Sequence, residues 1–309
     1  LPYELTIRRT WSRNFEALAL DVANIANRAK FGTLGVSMND TDYALGHAEA
    51  ELRRLATQAR LIDPITRRFL EAAGIAEGMR ILDIGSGAGD VALLCGELVG
   101  PAGEVVGTDL ALAAVERAEL RAKNAESGRI SFRHGDPAEL NFDEPFDAIV
   151  GRYVLQFIPD PAQSLRRIVR HLRPGGVVVF HELDWDGARS SPPSPTYDRI
   201  CGLLSRTIEG AGAQVRLGAR LASLFEDAGL PSPTLRLEAV IASGPRAVDV
   251  VHLVIDLVET QLSTMERLGI VAASQVEPST LVDRILSEVG TGGTLMGRSE
   301  IGAWTTKPK

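Results

Sequence analysis

Three aspartates and a run of glycines carry the first chemical signal. In ILDIGSGAGD, Ile81 to Asp90, an apolar segment runs into Gly85, Gly87 and Gly89. Glycine lets a chain turn sharply and lets a ligand approach the backbone. A helix N-terminus beyond such a turn presents free amides that suit a phosphate or a carboxylate. The spacing is G-x-G-x-G, whereas the dinucleotide fingerprint is G-x-G-x-x-G. GEVVGTDL ends its apolar segment at Asp109, 20 residues past Gly89. A carboxylate there can accept hydrogen bonds from both hydroxyls of a ribose. Asp136, in FRHGDPAEL, follows a third apolar segment, where an acid can accept from an adenine amino group. Each has a plainer reading. Asp83 can cap the turn after it, and Asp109 and Asp136 can be helix N-caps, with Pro137 suited to a first helical position. Caps do not require all three to share the carboxyl ends of successive strands, which is where an open α/β sheet binds its ligand.

The elements that must position these residues follow from periodicity. AEAELRRLATQAR, 48–60, reads as an amphipathic helix that Asp63-Pro64 interrupts; ITRRFLEAAG resumes it, and Gly74 caps it. MRILDIG reads as a strand, GDVALLCGELV as a helix, GEVVGTDL as a strand and ALAAVERAELRAKNA as a helix. RISFRHGD and FDAIVGR read as strands, DPAQSLRRIVRHL as a helix closed by RPGG, and VVVFHEL as a strong strand. This alternation predicts a doubly wound α/β sheet with helices on both faces. After Asp184 come a Pro/Ser-rich loop (ARSSPPSPT), two helices, the strand TLRLEAVIAS, helices over AVDVVHLVIDLVETQLSTMERLG and PSTLVDRILSEVG, and a last strand in GTLMGRSEIGAWTTK. The helices from 195 to 290 are expected to cover one end of the sheet. The expected organisation is 1–37 as an N-terminal extension, 38–74 as a helical lid, 75–184 as a cofactor-binding core, and 185–309 as a helical substrate cover with the last two strands. Met38 is a candidate natural start, and NFEALALDVANIANRAKF is also a candidate extra helix.

ILDIGSGAGD, VVGTDL, HGDPAEL, FDAIVGRYVLQF and LRPGGVVVF stand in one order and at set separations. In this the chain resembles the class I S-adenosylmethionine-dependent methyltransferases, small-molecule branch, closely over about residues 75–184. The resemblance implies a Rossmann-like, mostly parallel, seven-stranded sheet with the last strand antiparallel, and S-adenosyl-L-methionine as cofactor. It implies that Asp83, Gly85, Ser86 and Gly87 surround the methionine part, that Asp109 holds the ribose and that Leu110 lies against the adenine. It also implies that Asp136, Pro137 and Ala138 line the adenine, that Arg152 gives a backbone contact, and that the N-terminal segment folds over the cofactor.

The acceptor side has its own candidates. HELDWD ends the fifth strand of the core. His181 has the near-neutral pKa of a general base, and Glu182 can bind an amine or take a proton. Neighbouring strand residues face opposite ways, so one of the two is expected to reach the pocket. Tyr43 and His47, at the first helix, are further proton acceptors, and Gln58 is a cofactor or substrate contact. Tyr153 and Phe157 are expected to line the methyl-transfer region. Asp184, Trp185, Tyr197 and Arg298 are substrate-side candidates, with Trp185 and Tyr197 able to stack on a planar ring. His252, on an apolar helix, reads as a packing residue.

Composition narrows the classes. The chain has 309 residues and a net charge of −7, which disfavours a nucleic-acid partner. Cys95 and Cys201 form no metal-ligand or disulfide framework, no metal site is expected, and a reducing cytoplasm is the expected location. No apolar run reaches membrane-spanning length and no signal peptide is read at the N-terminus. GRYVLQF stands where amino methylases of bases or glutamine, in the resembling family, carry Asn/Asp-Pro-Pro-aromatic. The reading is methyl transfer to a small organic acceptor at O, N or C, with an aromatic or heterocyclic secondary metabolite as candidate. The alternatives are an NAD-dependent oxidoreductase on the same fold and a non-catalytic cofactor-binding regulator. Long apolar stripes in the helical insert and in 1–37 point to a homodimer.

Overall fold

The computed structural model describes residues 38–123 and 129–309; the side chains of 38–53, Ala56 and Ala273 lie outside the described part. The described part opens with α1 (Met38–Ala72). There follow β1 (Arg80–Ile84), α2 (Asp90–Val99), β2 (Glu104–Asp109), α3 (Leu112–Ala122), β3 (Arg129–His134), β4 (Phe146–Arg152), α4 (Pro161–Ile168) and β5 (Leu172–Asp184). The second half is β6 (Arg189–Ser191), α5 (Pro195–Gly210), α6 (Leu221–Asp227), β7 (Thr234–Glu238), β8 (Ile241–Ser243), α7 (Ala247–Arg267), α8 (Pro278–Val289), β9 (Thr294–Met296) and β10 (Ser299–Thr306).

Seven strands form the main sheet in the order β3-β2-β1-β4-β5-β10-β7. β1 to β5 pair in parallel, and β10 runs antiparallel to both β5 and β7. Side chains alternate across the sheet. On β4, Ile149 packs with Leu165 and Ile168 of α4 and Phe225 of α6. Ala148 and Val150 pack on the other face with Val91 and Cys95 of α2 and Val115 of α3. The order switches at β1, with β2 on one side and β4 on the other, so a crevice opens at the carboxyl ends of those strands.

The apolar stripes of α5, α7 and α8 pack on one another in a second core that includes Trp185, Tyr197, Val254 and Ile285. β6, β9 and β8 form a small antiparallel sheet beside it. α1 bridges the two regions: Ile62, Ile65 and Phe69 meet Leu253 of α7.

Several local expectations are corrected. Pro64 does not interrupt α1, which is continuous over 35 residues. A mid-helix proline removes a hydrogen bond and costs about 3 kcal/mol. Here the turns on either side bury Ile62, Ile65, Phe69 and Leu70, and that packing outweighs the loss. RPGG does not end a helix; it lies inside β5, where the register against β4 slips between Phe146 and Ala148. TLRLEAVIAS is split between β7 and β8, in different sheets, and the last predicted strand is split at Gly297-Arg298 into β9 and β10. The Pro/Ser-rich loop contains β6. His252 is exposed rather than packed.

Gly302 on β10 shows how closely α1 approaches the sheet. A Cβ there would lie 2.5 Å from Phe69 Cγ. Gly302→Ala is expected to destabilise the protein by about 1–3 kcal/mol through overpacking, read as a lower midpoint in urea.

Candidate functional site at the carboxyl edge of the sheet

The turn after β1 has φ of 61° at Gly85, 52° at Gly87 and 87° at Gly89. These are left-handed values that favour glycine. Two of the glycines serve different ends. At Gly85 a Cβ would lie 2.4 Å from Val154 Cγ2, so the turn must let the segment after β4 come close. At Gly87 a Cβ would meet nothing within 4 Å, so that side of the turn is open.

Asp109 ties the turn to β2. Its Oδ2 accepts from the Gly87 amide at 2.9 Å and its Oδ1 from the Ala111 amide at 2.8 Å. Each oxygen keeps a further lone pair. The cap reading and the ligand reading of Asp109 are therefore compatible. Asp136 Oδ1 accepts from the Ala138 amide at 2.8 Å and caps a turn, not the helix expected there. Pro137 and Ala138 follow in the turn. Leu110, beside Asp109, is 49% exposed.

Two buried polar atoms at this turn have no partner: Asp83 Oδ2 and Ser86 Oγ. Burial pushes the Asp83 carboxyl well above the usual carboxylate range, Arg152 pulls it back, and Asp109 and Asp90 add to the rise. A buried polar group without a hydrogen bond costs about 1–3 kcal/mol.

A buried polar chain runs from there along the strand ends. Arg152, at the end of β4, donates through Nη1 to Asp63 Oδ1 at 2.6 Å and to Thr66 Oγ1 at 3.0 Å, both on α1. Its Nη2 lies 3.7 Å from Asp90 Oδ2. Thr66 Oγ1 is 3.0 Å from His181 Nδ1, and His181 Nε2 is 2.9 Å from Glu300 Oε2. Tyr153 OH donates to Glu300 Oε2 at 2.6 Å, and Arg298 Nε to Oε1 at 3.1 Å. The lowered pKa of His181 favours a neutral imidazole, which accepts at Nδ1 from Thr66 Oγ1 and donates from Nε2 to an ionised Glu300. Burial lowers the His181 pKa, although Glu300 opposes this. Glu300 stays below the usual carboxylate range because Arg298 and His181 outweigh its burial.

His181 and Glu182 point to opposite faces, since Gly302 lies opposite His181 and Ile301 opposite Glu182. Glu182 Oε1 accepts from the amides of Val154 at 2.9 Å and Leu155 at 2.8 Å. Its Oε2 has no partner. Burial pushes its pKa up to about 8, although these amides pull it down. The folded carboxyl therefore keeps its proton between about pH 4.5 and 8, where the unfolded one has lost it. Stability falls as pH rises through that window, with a slope of about 1.4 kcal/mol per unit. His181 acts oppositely below its ordinary value of 6.5. Subtracting the curve of Glu182→Gln from that of the native protein is expected to isolate the Glu182 slope, measured by urea denaturation from pH 5 to pH 8.

Residues 75–212 match a family model described as a methyltransferase domain. A demethylmenaquinone methyltransferase of Staphylococcus aureus is 32% identical over 138 residues, which are 44% of this chain and 54% of that one. The chain thus spans about half the length of the curated relatives it matches. The crystal structure of a putative methyltransferase from Bacillus halodurans superposes over 78% of this chain and 98% of its own, at 16% identity and a TM-score of 0.50. That likeness concerns the fold. Over residues 75–212 the chain is thus similar to methyltransferase domains.

Around this region the structure sorts the residues singled out in the sequence. Asp83, Gly85, Ser86, Gly87 and Asp109 meet at one turn, with Leu110 adjacent. Arg152, Tyr153, His181 and Arg298 are joined in one hydrogen-bonded chain. His181 has both nitrogens engaged and is 2% exposed, so it has no nitrogen free for a substrate proton. Glu182 is turned into the opposite core and holds the segment after β4. Tyr197 is fully buried and donates to the Met296 carbonyl at 2.9 Å; it joins α5 to β9 and has no face for a ring. Asp184 Oδ1 accepts from the Asp186 amide at 2.9 Å, capping the turn in which Trp185 sits. Gln58 accepts from Arg54 at 3.1 Å on the same face of α1. Phe157 is half-buried in the short turn after Leu155. The side chains of Tyr43 and His47 lie outside the described residues, although their backbone belongs to α1.

Glu300, Thr66, Asp63 and Asp90 are the polar partners that sequence reasoning missed. Glu300 carried a signal, since an acid inside SEIGAW breaks an otherwise apolar and small strand. Thr66 and Asp63 carried none, because their role depends on how α1 crosses the sheet. Among the described residues no helix is long and apolar enough to cross a membrane, and no cluster of His, Cys, Asp or Glu is arranged for a metal ion.

Proposed function

We propose that the chain transfers a methyl group from S-adenosyl-L-methionine to a small organic acceptor. The reading rests on one observation above others: the Asp109 carboxylate closes the glycine turn beside the unpartnered Asp83 Oδ2 and Ser86 Oγ. Those donors and acceptors fit the cofactor. A ligand ammonium group beside Asp83 would favour its charged form and satisfy Oδ2. The open side of Gly87 and the Ser86 hydroxyl would take the rest of the methionine part. Asp109 would hold the ribose hydroxyls, and Leu110, with Asp136, Pro137 and Ala138, would flank the adenine. Arg152 would contribute backbone contact and, through Asp63 and Thr66, would lock α1 over the crevice. When bound, the cofactor supplies an activated methyl group; the protein supplies position and excludes water.

The acceptor is assigned to the space beside Tyr153, Trp185 and Arg298, at the ends of β4, β5 and the β9–β10 turn. His181 acts there by position, holding Glu300 against Tyr153. An acceptor with an acidic proton needs little more than this, because deprotonation can precede binding. A screen with methyl-labelled cofactor against phenols, amines, indoles and aromatic acids tests the reading. Label transfer to at least one class is the expected result. Cofactor binding without transfer to any class would instead support a non-catalytic binding module.

A further inference from the structure

The ends of β4 and β5 and the turn between β9 and β10 bring Tyr153, Trp185 and Arg298 together. The Arg298 guanidinium carbon lies 5.0 Å from the Tyr153 ring centroid and 5.5 Å from that of Trp185. Both Arg298 and Trp185 are more than nine-tenths buried, at 7% and 5% exposure. Arg298 Nε is committed to Glu300 and Nη2 donates to Tyr153 OH at 3.2 Å. These bonds leave Nη1 without an acceptor among the described residues. The Trp185 indole Nε1 is buried and also has no partner.

The nearby acceptor makes no bond to either of them. Glu300 already takes Arg298 Nε on one oxygen and Tyr153 OH and His181 Nε2 on the other. The cationic Arg298 guanidinium, with Nη1 uncommitted, thus stands over the ring of Trp185, whose buried N–H has no acceptor. Native proteins rarely leave a buried donor such as this indole N–H unmet without a reason. Tyr153 adds a second mark. It has φ 57°, the one positive value at a non-glycine among the described residues. Such strain concentrates at ligand sites.

We propose that Arg298 and Trp185 anchor an anionic oxygen of the methyl acceptor, so that the acceptor is a small acid, with a carboxylate or an acidic enol or phenol. The occupant's identity as methyl acceptor rests on the proposed function; the anchor itself does not. Arg298 Nη1 gives a charge-assisted hydrogen bond, stronger to an anionic than to a neutral oxygen, and the indole N–H gives a second. The remaining Arg298 donors, fixed on Glu300 and Tyr153, keep the guanidinium from turning toward other groups.

The test uses benzoate, its neutral isostere benzamide, and benzylamine. Each is titrated by calorimetry into the full-length protein, with and without saturating S-adenosylhomocysteine. Benzoate is expected to bind about tenfold or more tightly than either of the others. Trp185→Phe, which removes the N–H and keeps a ring, is expected to lose most of that preference, and Arg298→Gln all of it. Melting curves report whether the Arg298→Gln protein is folded; if it is not, Trp185→Phe alone decides. In ¹⁵N-labelled protein the three indole N–H signals are assigned by their loss in tryptophan variants, and the Trp185 signal is expected to move with benzoate. No benzoate binding, equal benzamide binding, or a Trp185→Phe protein with the preference intact would overturn the anchor. Benzoate preference without S-adenosylhomocysteine binding would leave the anchor standing and remove the methyl-transfer reading.

Discussion

Asp109→Ala is expected to weaken S-adenosylhomocysteine binding by about 10²–10⁴-fold. A hydrogen bond to a charged group contributes roughly 1.5–3 kcal/mol, and in the proposed site the carboxylate takes two from a ribose, which gives that range. The same carboxylate accepts from the Gly87 and Ala111 amides, so its loss also loosens the glycine turn. Asp109→Asn keeps one oxygen and should fall between. The check is calorimetric titration of both variants, with melting curves to confirm that they are folded. An Asp109→Ala protein that binds within about threefold of the native one would remove Asp109 from the site.

Glu300→Ala is expected to cost about 3–5 kcal/mol of stability, the usual consequence of removing one partner of a buried ion pair. Three donors lose their acceptor together: Arg298 Nε, Tyr153 OH and His181 Nε2. Arg298 is left charged and 7% exposed. Glu300→Gln keeps an acceptor oxygen without the charge and should cost less. Urea denaturation near pH 7 reads both. A loss below about 1 kcal/mol for Glu300→Ala would mean that the polar chain is not a unit. Because the chain continues through His181 and Thr66 to Arg152, Glu300→Ala is also expected to loosen α1, seen as faster amide exchange around residues 62–70.

The sheet was legible in the sequence because its period is short and its glycine punctuation is strong. ILDIGSGAGD, GEVVGTDL and FDAIVGR each place an apolar run before a turn, and each is a strand of the main sheet, side by side in the order β2-β1-β4. What escaped was set by tertiary contact. Pro64 reads as a breaker in isolation, yet the burial of Ile62, Ile65 and Phe69 on both sides holds the helix through it. Arg298 sits at the split between β9 and β10 because the Gly297 amide bonds to the Val240 carbonyl at 2.8 Å, a pairing that no local pattern announces. His181 looked like a base because of its type and its strand end. Its surroundings, Thr66 on one side and Glu300 on the other, come from residues 115 and 119 positions away. Residue type and strand end thus located the crevice, while the proton positions in it depended on partners distant in sequence.

The most direct test of a sulfonium-cofactor site at the glycine turn is calorimetric titration of the protein with S-adenosylhomocysteine, with NADH run in parallel. Saturable binding of S-adenosylhomocysteine and none of NADH is the expected result. Binding of NADH alone would contradict it, and the roles given to Gly85, Gly87 and Asp109 would fall with it.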